Sequence, residues 1–276
     1  MLNPLYRYFV EPAIGKKEIE KIEIRLIFGR FPRLEHMEKK FDTGESWALL
    51  KGKQRFWVRF HPPRHAKPFW IAAFNRRGER VDYYCEARGA ADSKKILEIP
   101  HPICYPLDQL LLMNYFARRR GILMHAAGVV HRGKAYLLAG ASGAGKSTLS
   151  ELLVKAKIGK MLSDERTIVR EIMGKMIAFG TPWAGTAGIG RSGSAPLAGI
   201  FFLKHGRANA IEKLDPATAA DRLLPVISIP WYDPDTAAPI IAFAKRLVAE
   251  MPAYEMNFTP NPSAIDFFRK YITRPF

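Results

Sequence analysis

The run Gly140-Ala141-Ser142-Gly143-Ala144-Gly145-Lys146-Ser147 restricts the fold more than any other stretch of this chain. It fits Gly-x-x-x-x-Gly-Lys-Ser/Thr, a pattern that works only where a strand enters and a helix leaves, so that glycine backbone can turn tightly around an anion. The flanks meet that requirement. Lys134-Ala135-Tyr136-Leu137-Leu138-Ala139 is a short apolar run that predicts a strand, and Leu149, Leu152, Leu153 and Ala156 recur at the spacing of one buried helical face. The pattern gives nucleotide phosphates to the backbone N–H groups from Gly140 to Thr148, the β and γ oxygens to Lys146, and Mg²⁺ to the Ser147 hydroxyl. The bland alternative is a glycine-rich turn with an exposed lysine. The strand and helix on either side argue against it.

At 276 residues and 48% hydrophobic, the chain can bury a substantial core and has room for two domains. Cys85 and Cys104 are too few for a disulfide framework. No apolar run approaches the ~18 residues that span a bilayer, and Met1 to Glu20 mixes charges with aromatics where a secretory leader would be apolar. A cytoplasmic protein is therefore expected. The net charge of +17, from 43 basic and 26 acidic residues, is spread over both halves and clusters only at Arg76-Arg77 and Arg118-Arg119-Arg120. It suits an anionic partner such as a nucleic acid, an acidic peptide or a phosphorylated small molecule. A solvated basic surface explains it equally well, and no nucleic-acid-binding motif accompanies it.

The texture changes near residue 105. Before it, Phe56, Val58 and Phe60 alternate with Trp57 and Arg59, and Phe69 to Phe74 leads through an Asn75-to-Glu79 turn into Val81 to Cys85. This pattern predicts a small, mainly antiparallel β domain over 1–104, an accessory or substrate-recognition unit whose aromatics form its core. Pro100 to Pro106 is a proline-punctuated connection, Leu107 to Ala117 a helix, and Ile122–Val130, Ala135–Ala139, Ile168–Arg170 and Leu197–Leu203 strands of an α/β domain over 105–276. Ala237 to Val248 and Ser263 to Tyr271 read as supporting helices.

Eighteen residues past Lys146, Met161-Leu162-Ser163-Asp164-Glu165 puts two carboxylates at the expected C-terminal end of a strand, where open α/β sheets place their chemistry. Asp164 could hold Mg²⁺ or take the proton from an attacking hydroxyl. His125, fifteen residues before Gly140, fits a strand returning beside the loop, although a lone histidine is more often a core residue. The Gly/Ser-rich segment Gly180 to Ser194 carries one basic residue, Arg191. A mobile loop could bring that guanidinium to a transferring phosphoryl group, and an ordinary surface loop fits the composition as well.

The order His125, glycine loop, Asp164-Glu165 resembles the C-terminal domain of HPr kinase/phosphorylase, over roughly residues 105–204, and Gly145 to Ser150 resembles the loop of ATP-dependent phosphoenolpyruvate carboxykinase. The resemblance implies an α/β kinase domain of the HPr kinase/carboxykinase type, with ATP and Mg²⁺ as cofactors. By position it makes Asp164 the acid/base carboxylate, Glu165 a metal-side partner and His125 a neighbour that tunes Asp164. Glu165 stands where those kinases have a second Asp, their Glu-x-Arg-Gly-x-Gly signature is absent, and residues 1–104 do not resemble their N-terminal domain, so HPr is not implied as acceptor. The chain more closely resembles the broader group of HPr-kinase-related proteins, some of which phosphorylate ribosomally made peptides, through the helix before His125, Gly180-Thr181-Pro182-Trp183, Ala195-Pro196-Leu197 and Pro252 to Phe258. HPr kinases assemble into oligomers, which leaves a homo-oligomer open. The expectation is γ-phosphoryl transfer from Mg²⁺·ATP to a hydroxyl, foremost a serine of a peptide or protein. A small metabolite as acceptor, and a nucleotide sensor that transfers nothing, are the alternatives. A nucleic-acid-associated ATPase is the least favoured reading.

Overall fold

A computed structural model describes residues 6, 9, 21–61, 68–85, 101–141 and 143–273. Ser142, Pro100 and most of the segment read as lacking an apolar leader lie outside the described residues. The chain is mixed α/β with two sheets, and its contacts divide it into two units.

Among described residues the first unit takes 21–118 and Pro230–Thr236. Its strands are β1 (Glu23–Phe28), β2 (Glu38–Asp42), β3 (Trp47–Lys51), β4 (Arg55–Phe60), β5 (Trp70–Asn75) and β6 (Arg80–Cys85), followed by the helix α1 (Leu107–Ala117). The sheet order is β1-β6-β5-β4-β3-β2, parallel between β1 and β6 and antiparallel elsewhere. The period-two alternation of β4 explains its faces: Phe56 and Val58 enter the main core with Leu49, Trp70, Phe74 and Tyr83, while Trp57 joins Leu50 and Ile71 in a smaller cluster behind. Consequently β5 is apolar on both faces and reads as a continuous run rather than an alternating one.

Leu107, Leu110 and Leu111 of α1 complete the main core of this first sheet. The boundary read near residue 105 thus moves: α1, expected to open the second domain, belongs to the first unit. The predicted Asn75–Glu79 turn explains part of this. Gly78 adopts φ +68°, and a Cβ there would stand 2.5 Å from the Leu111 carbonyl oxygen, so only glycine lets the turn press against α1.

Among described residues the second unit holds Tyr6, Phe9, 119–229 and 237–273. Its strands are β7 (Gly121–Met124), β8 (Ala126–His131), β9 (Lys134–Ala139), β10 (Lys160–Ser163), β11 (Thr167–Ile172), β12 (Lys175–Phe179), β13 (Ser194–His205), β14 (Ala210–Lys213) and β15 (Ala253–Phe258). Its helices are α2 (Lys146–Lys155), α3 (Pro216–Leu223), α4 (Pro234–Glu250, from Ala237 onward in this unit) and α5 (Pro262–Ile272). The sheet runs β10-β8-β9-β13-β12-β11-β7, with β15 parallel to β13 and β14 antiparallel to β15. Leu149 and Leu153 of α2 and Ile265, Phe268 and Ile272 of α5 pack on Leu138, Phe201 and Met256 of the sheet. Of the face predicted for α2, Leu149 and Leu153 are buried and Leu152 half-buried, whereas Ala156 is exposed just past the helix end.

Two consequences position the site. First, β9, β13 and β15 are parallel, so Ala139, His205 and Phe258 end on one side of the sheet. Second, the Ile122–Val130 run, read as one strand, is two. Residue His125 breaks it, donating its backbone N–H to the Val226 carbonyl at 2.7 Å, with β7 pairing to β11 and β8 to β9 and β10. Apolar residues on both sides of the break hide it from periodicity.

Candidate functional site

The glycine loop leaves β9 at Gly140 and enters α2 at Lys146. Gly143 and Gly145 take φ +80° and +94°, the left-handed region that favours glycine. Lys146 is 7% exposed, and its Nζ donates to the carbonyls of Gly140 (2.8 Å) and Ala141 (3.1 Å). Burial holds its ammonium below the ordinary lysine value, and the Glu165 carboxylate pulls partly the other way. Two of three ammonium donors are thereby used, and one remains for an anion. Ser147 and Thr148 lie half-buried in the first turn of α2, whose N-terminal N–H groups add a positive dipole end.

The strand β10 ends at Ser163, so Asp164 and Glu165 follow at its C-terminal end as expected. Their environments differ sharply. Asp164 is 1% exposed, with Oδ1 accepting from the N–H groups of Gly185 (2.8 Å) and Ile189 (3.1 Å) and Oδ2 from that of Ala187 (2.7 Å). Ser163 Oγ adds a bond to the Trp183 carbonyl at 3.3 Å. The 180–193 segment, read as flexible, is thus wrapped around one carboxylate. Gly185 is part of that fit: a Cβ there would lie 3.1 Å from both Asp164 Oδ2 and Glu165 Oε2.

Glu165 pairs instead with His125, Oε1 to Nδ1 at 3.0 Å, both side chains about a third exposed (28% and 32%). The histidine therefore partners the second carboxylate, not Asp164. Burial, then the Lys146 charge, lowers the His125 pKa against the opposing pull of Glu165. A ring kept neutral with a carboxylate at Nδ1 carries its proton there and leaves Nε2 as an acceptor.

The site brings together Lys146, His125 and Glu165, with Asp164 directly behind. Arg191 stands apart: its side chain is exposed, and its backbone N–H donates to the Leu162 carbonyl at 2.9 Å. Three neighbours of the site were not assigned to it from the sequence. Arg166 sits close enough to His125 to lower its pKa, and its guanidinium approaches Ser228 Oγ at 3.4 Å. His205 and Phe258 lie under the glycine loop. The arginine directly after the two carboxylates was the one available signal; the other two come from long-range strand pairing.

Fold and site together define a mixed α/β chain with a glycine loop between strand and helix, beside a histidine–glutamate pair. Residues 103–259, more than half of the chain, match the family described as SynChlorMet cassette protein ScmC, and the chain belongs to that family. No curated protein matches. A solved structure, the Hpr(Ser) kinase/phosphatase from Coxiella burnetii, aligns over 55% of this chain and 99% of its own at 11% identity with a TM-score of 0.31, too slight a likeness to carry an argument.

Proposed function

We propose that this chain is a Mg²⁺·ATP-dependent phosphotransferase that moves the γ-phosphoryl group to a hydroxyl, foremost a serine of a peptide or protein. The observation that carries the reading is the His125–Glu165 pair next to Lys146. A nucleotide cradle needs the lysine and the loop N–H groups, whereas a neutral imidazole oriented by a carboxylate adds a proton acceptor. In this reading His125 Nε2 takes the hydroxyl proton, Glu165 steadies the imidazolium that forms, and Lys146 with the start of α2 holds the phosphates. Asp164 has three of its lone-pair directions filled by loop N–H groups, so its task is to hold the 180–193 loop rather than to accept a proton.

Mg²⁺, when bound, neutralises charge on the β and γ oxygens. The residues fit it. Among the described residues no three His, Cys, Asp or Glu side chains converge as a metal cage, which suits an ion held mostly by phosphates and water. Ser147 and the second oxygen of Glu165 would complete its shell. Arg191 lies on the loop that Asp164 holds and would reach the phosphoryl group only through a movement of that loop.

The test is transfer of labelled γ-phosphate from Mg²⁺·ATP to peptide and small-molecule fractions of the source cells, with Lys146→Ala and His125→Gln as controls. Label that appears only with the unsubstituted protein supports the reading, and its fraction separates a peptide from a metabolite acceptor. Tight ATP binding with no label in any fraction would replace it with a nucleotide sensor.

A further inference from the structure

A loop that receives a polyanion must turn its carbonyl oxygens, the negative ends of its peptide dipoles, away from that anion and hold them there. In this loop the carbonyl oxygens of Gly140, Ala141 and Gly143 are each claimed by a donor. Lys146 Nζ binds those of Gly140 and Ala141, the N–H of Ala144 closes a turn onto Ala141 at 3.1 Å, and the Gly143 carbonyl lies 2.9 Å from His205 Nε2. Lys146 and Ala144 belong to the loop motif itself. His205 stands 62 residues further along the chain and is the donor that comes from outside.

Its placement is set by the sheet. His205 is the last residue of β13 and Phe258 the last of β15, and the two are in direct parallel register. Their rings lie 5.3 Å apart, tilted by 33°, with Phe258 buried and His205 exposed. A Cβ on Gly145 would stand 2.4 Å from Phe258 Cζ and 3.0 Å from His205 Cε1. The imidazole is exposed on its outer side and lies between the Phe258 ring and the loop backbone, with Nε2 at hydrogen-bond distance from the Gly143 carbonyl. Fixing that carbonyl fixes the peptide plane between Gly143 and Ala144, and with it the turn that leads to the N–H groups of Gly145 and Lys146.

We propose that His205 is a positioning residue for the glycine loop: by donating from Nε2 to the Gly143 carbonyl it keeps the loop in its anion-receiving conformation. The inference rests on the phosphotransferase reading above. It assigns the Nε2–H tautomer to the neutral ring and predicts that an amide donor of equal reach can replace it.

The experiment is calorimetric titration of the full chain with Mg²⁺·ATP, for the unsubstituted protein, His205→Phe and His205→Gln, with nitrogen NMR of the His205 ring. Phenylalanine keeps a ring beside Phe258 and removes the donor, so affinity is expected to fall about 5- to 10-fold, the effect of one lost hydrogen bond. Glutamine is expected to recover affinity to within about threefold of the original. A general packing role would not discriminate between the two in this direction. Wild-type affinity in His205→Phe, a His205→Gln no better than His205→Phe, or a ring protonated at Nδ1 alone would each overturn the proposal. Failure of the unsubstituted protein to bind Mg²⁺·ATP would remove the phosphotransferase reading and this inference with it.

Discussion

Replacing Asp164 with asparagine is expected to release the 180–193 loop while leaving the glycine loop in place. The Asp164 carboxylate is 1% exposed and takes N–H groups from Gly185 and Ile189 on one oxygen and from Ala187 on the other. Asparagine keeps one acceptor and presents an NH₂ group where the second oxygen stood. Turned one way it orphans Ala187, and turned the other it orphans Gly185 and Ile189. The cheaper choice weakens two charge-assisted bonds and leaves one donor facing another. With bonds to a charged acceptor contributing about 1.5–3 kcal/mol and an orphaned buried N–H costing a similar amount, the loss comes to about 2–4 kcal/mol. At ~1.4 kcal/mol per factor of ten, the amides of Gly185, Ala187 and Ile189 should exchange with deuterium ~30- to 1,000-fold faster, read residue by residue by NMR. A change below about threefold at all three amides would refute the reasoning. Loss of phosphoryl transfer with those amides still protected would instead make Asp164 a chemical participant.

Three further outcomes are expected. Gly145→Ala puts a Cβ 2.4 Å from Phe258 Cζ at a backbone φ of +94°, so titration should show nucleotide affinity reduced at least tenfold, a strain of about 1.4 kcal/mol or more. His125 and His131 both sit below the ordinary histidine value of 6.5, chiefly through burial. The unfolded chain therefore binds more protons as pH falls through that value, stability present above it is lost below it, and urea midpoints should drop between about pH 7.5 and 5.5, less so in a His125→Gln, His131→Gln variant. Phe201 is fully buried among Tyr136, Tyr254 and Phe268, and Phe201→Ala should cost about 3–5 kcal/mol in urea unfolding of the chain.

What the sequence disclosed follows from the range of each signal. The glycine loop, β4, β5, α1 and the buried faces of α2 and α5 depend on patterns a few residues long, and each is found at or near its expected place. The unit to which α1 belongs was hidden, because Leu107, Leu110 and Leu111 announce an apolar face but not which sheet it meets. The two carboxylates were visible as a pair, yet their separate environments were not. Asp164 finds its donors 21 to 25 residues away, in a segment whose glycines suggested freedom rather than fixture. His125 could be tied to Glu165 only after the strand break was known, and His205 reaches Gly143 only through the parallel pairing of β13 with β9 and β15.

The twelve residues of β13 bear on how chains of this kind can vary in length. Its Ser194 end takes up the chain where the segment held by Asp164 stops, and its His205 end supports the glycine loop. Side chains alternate along a strand, so one inserted residue in its middle would exchange the two faces of everything downstream. Phe201 would then turn to the opposite face of the sheet, away from Tyr136, Tyr254 and Phe268, and the His205 ring would point away from Gly143. Length can change more safely just beyond, where Arg207 and Ala208 are exposed between β13 and β14. Insertions tolerated there and rejected within β13 would mark the strand as the part of this molecule that acts as a ruler.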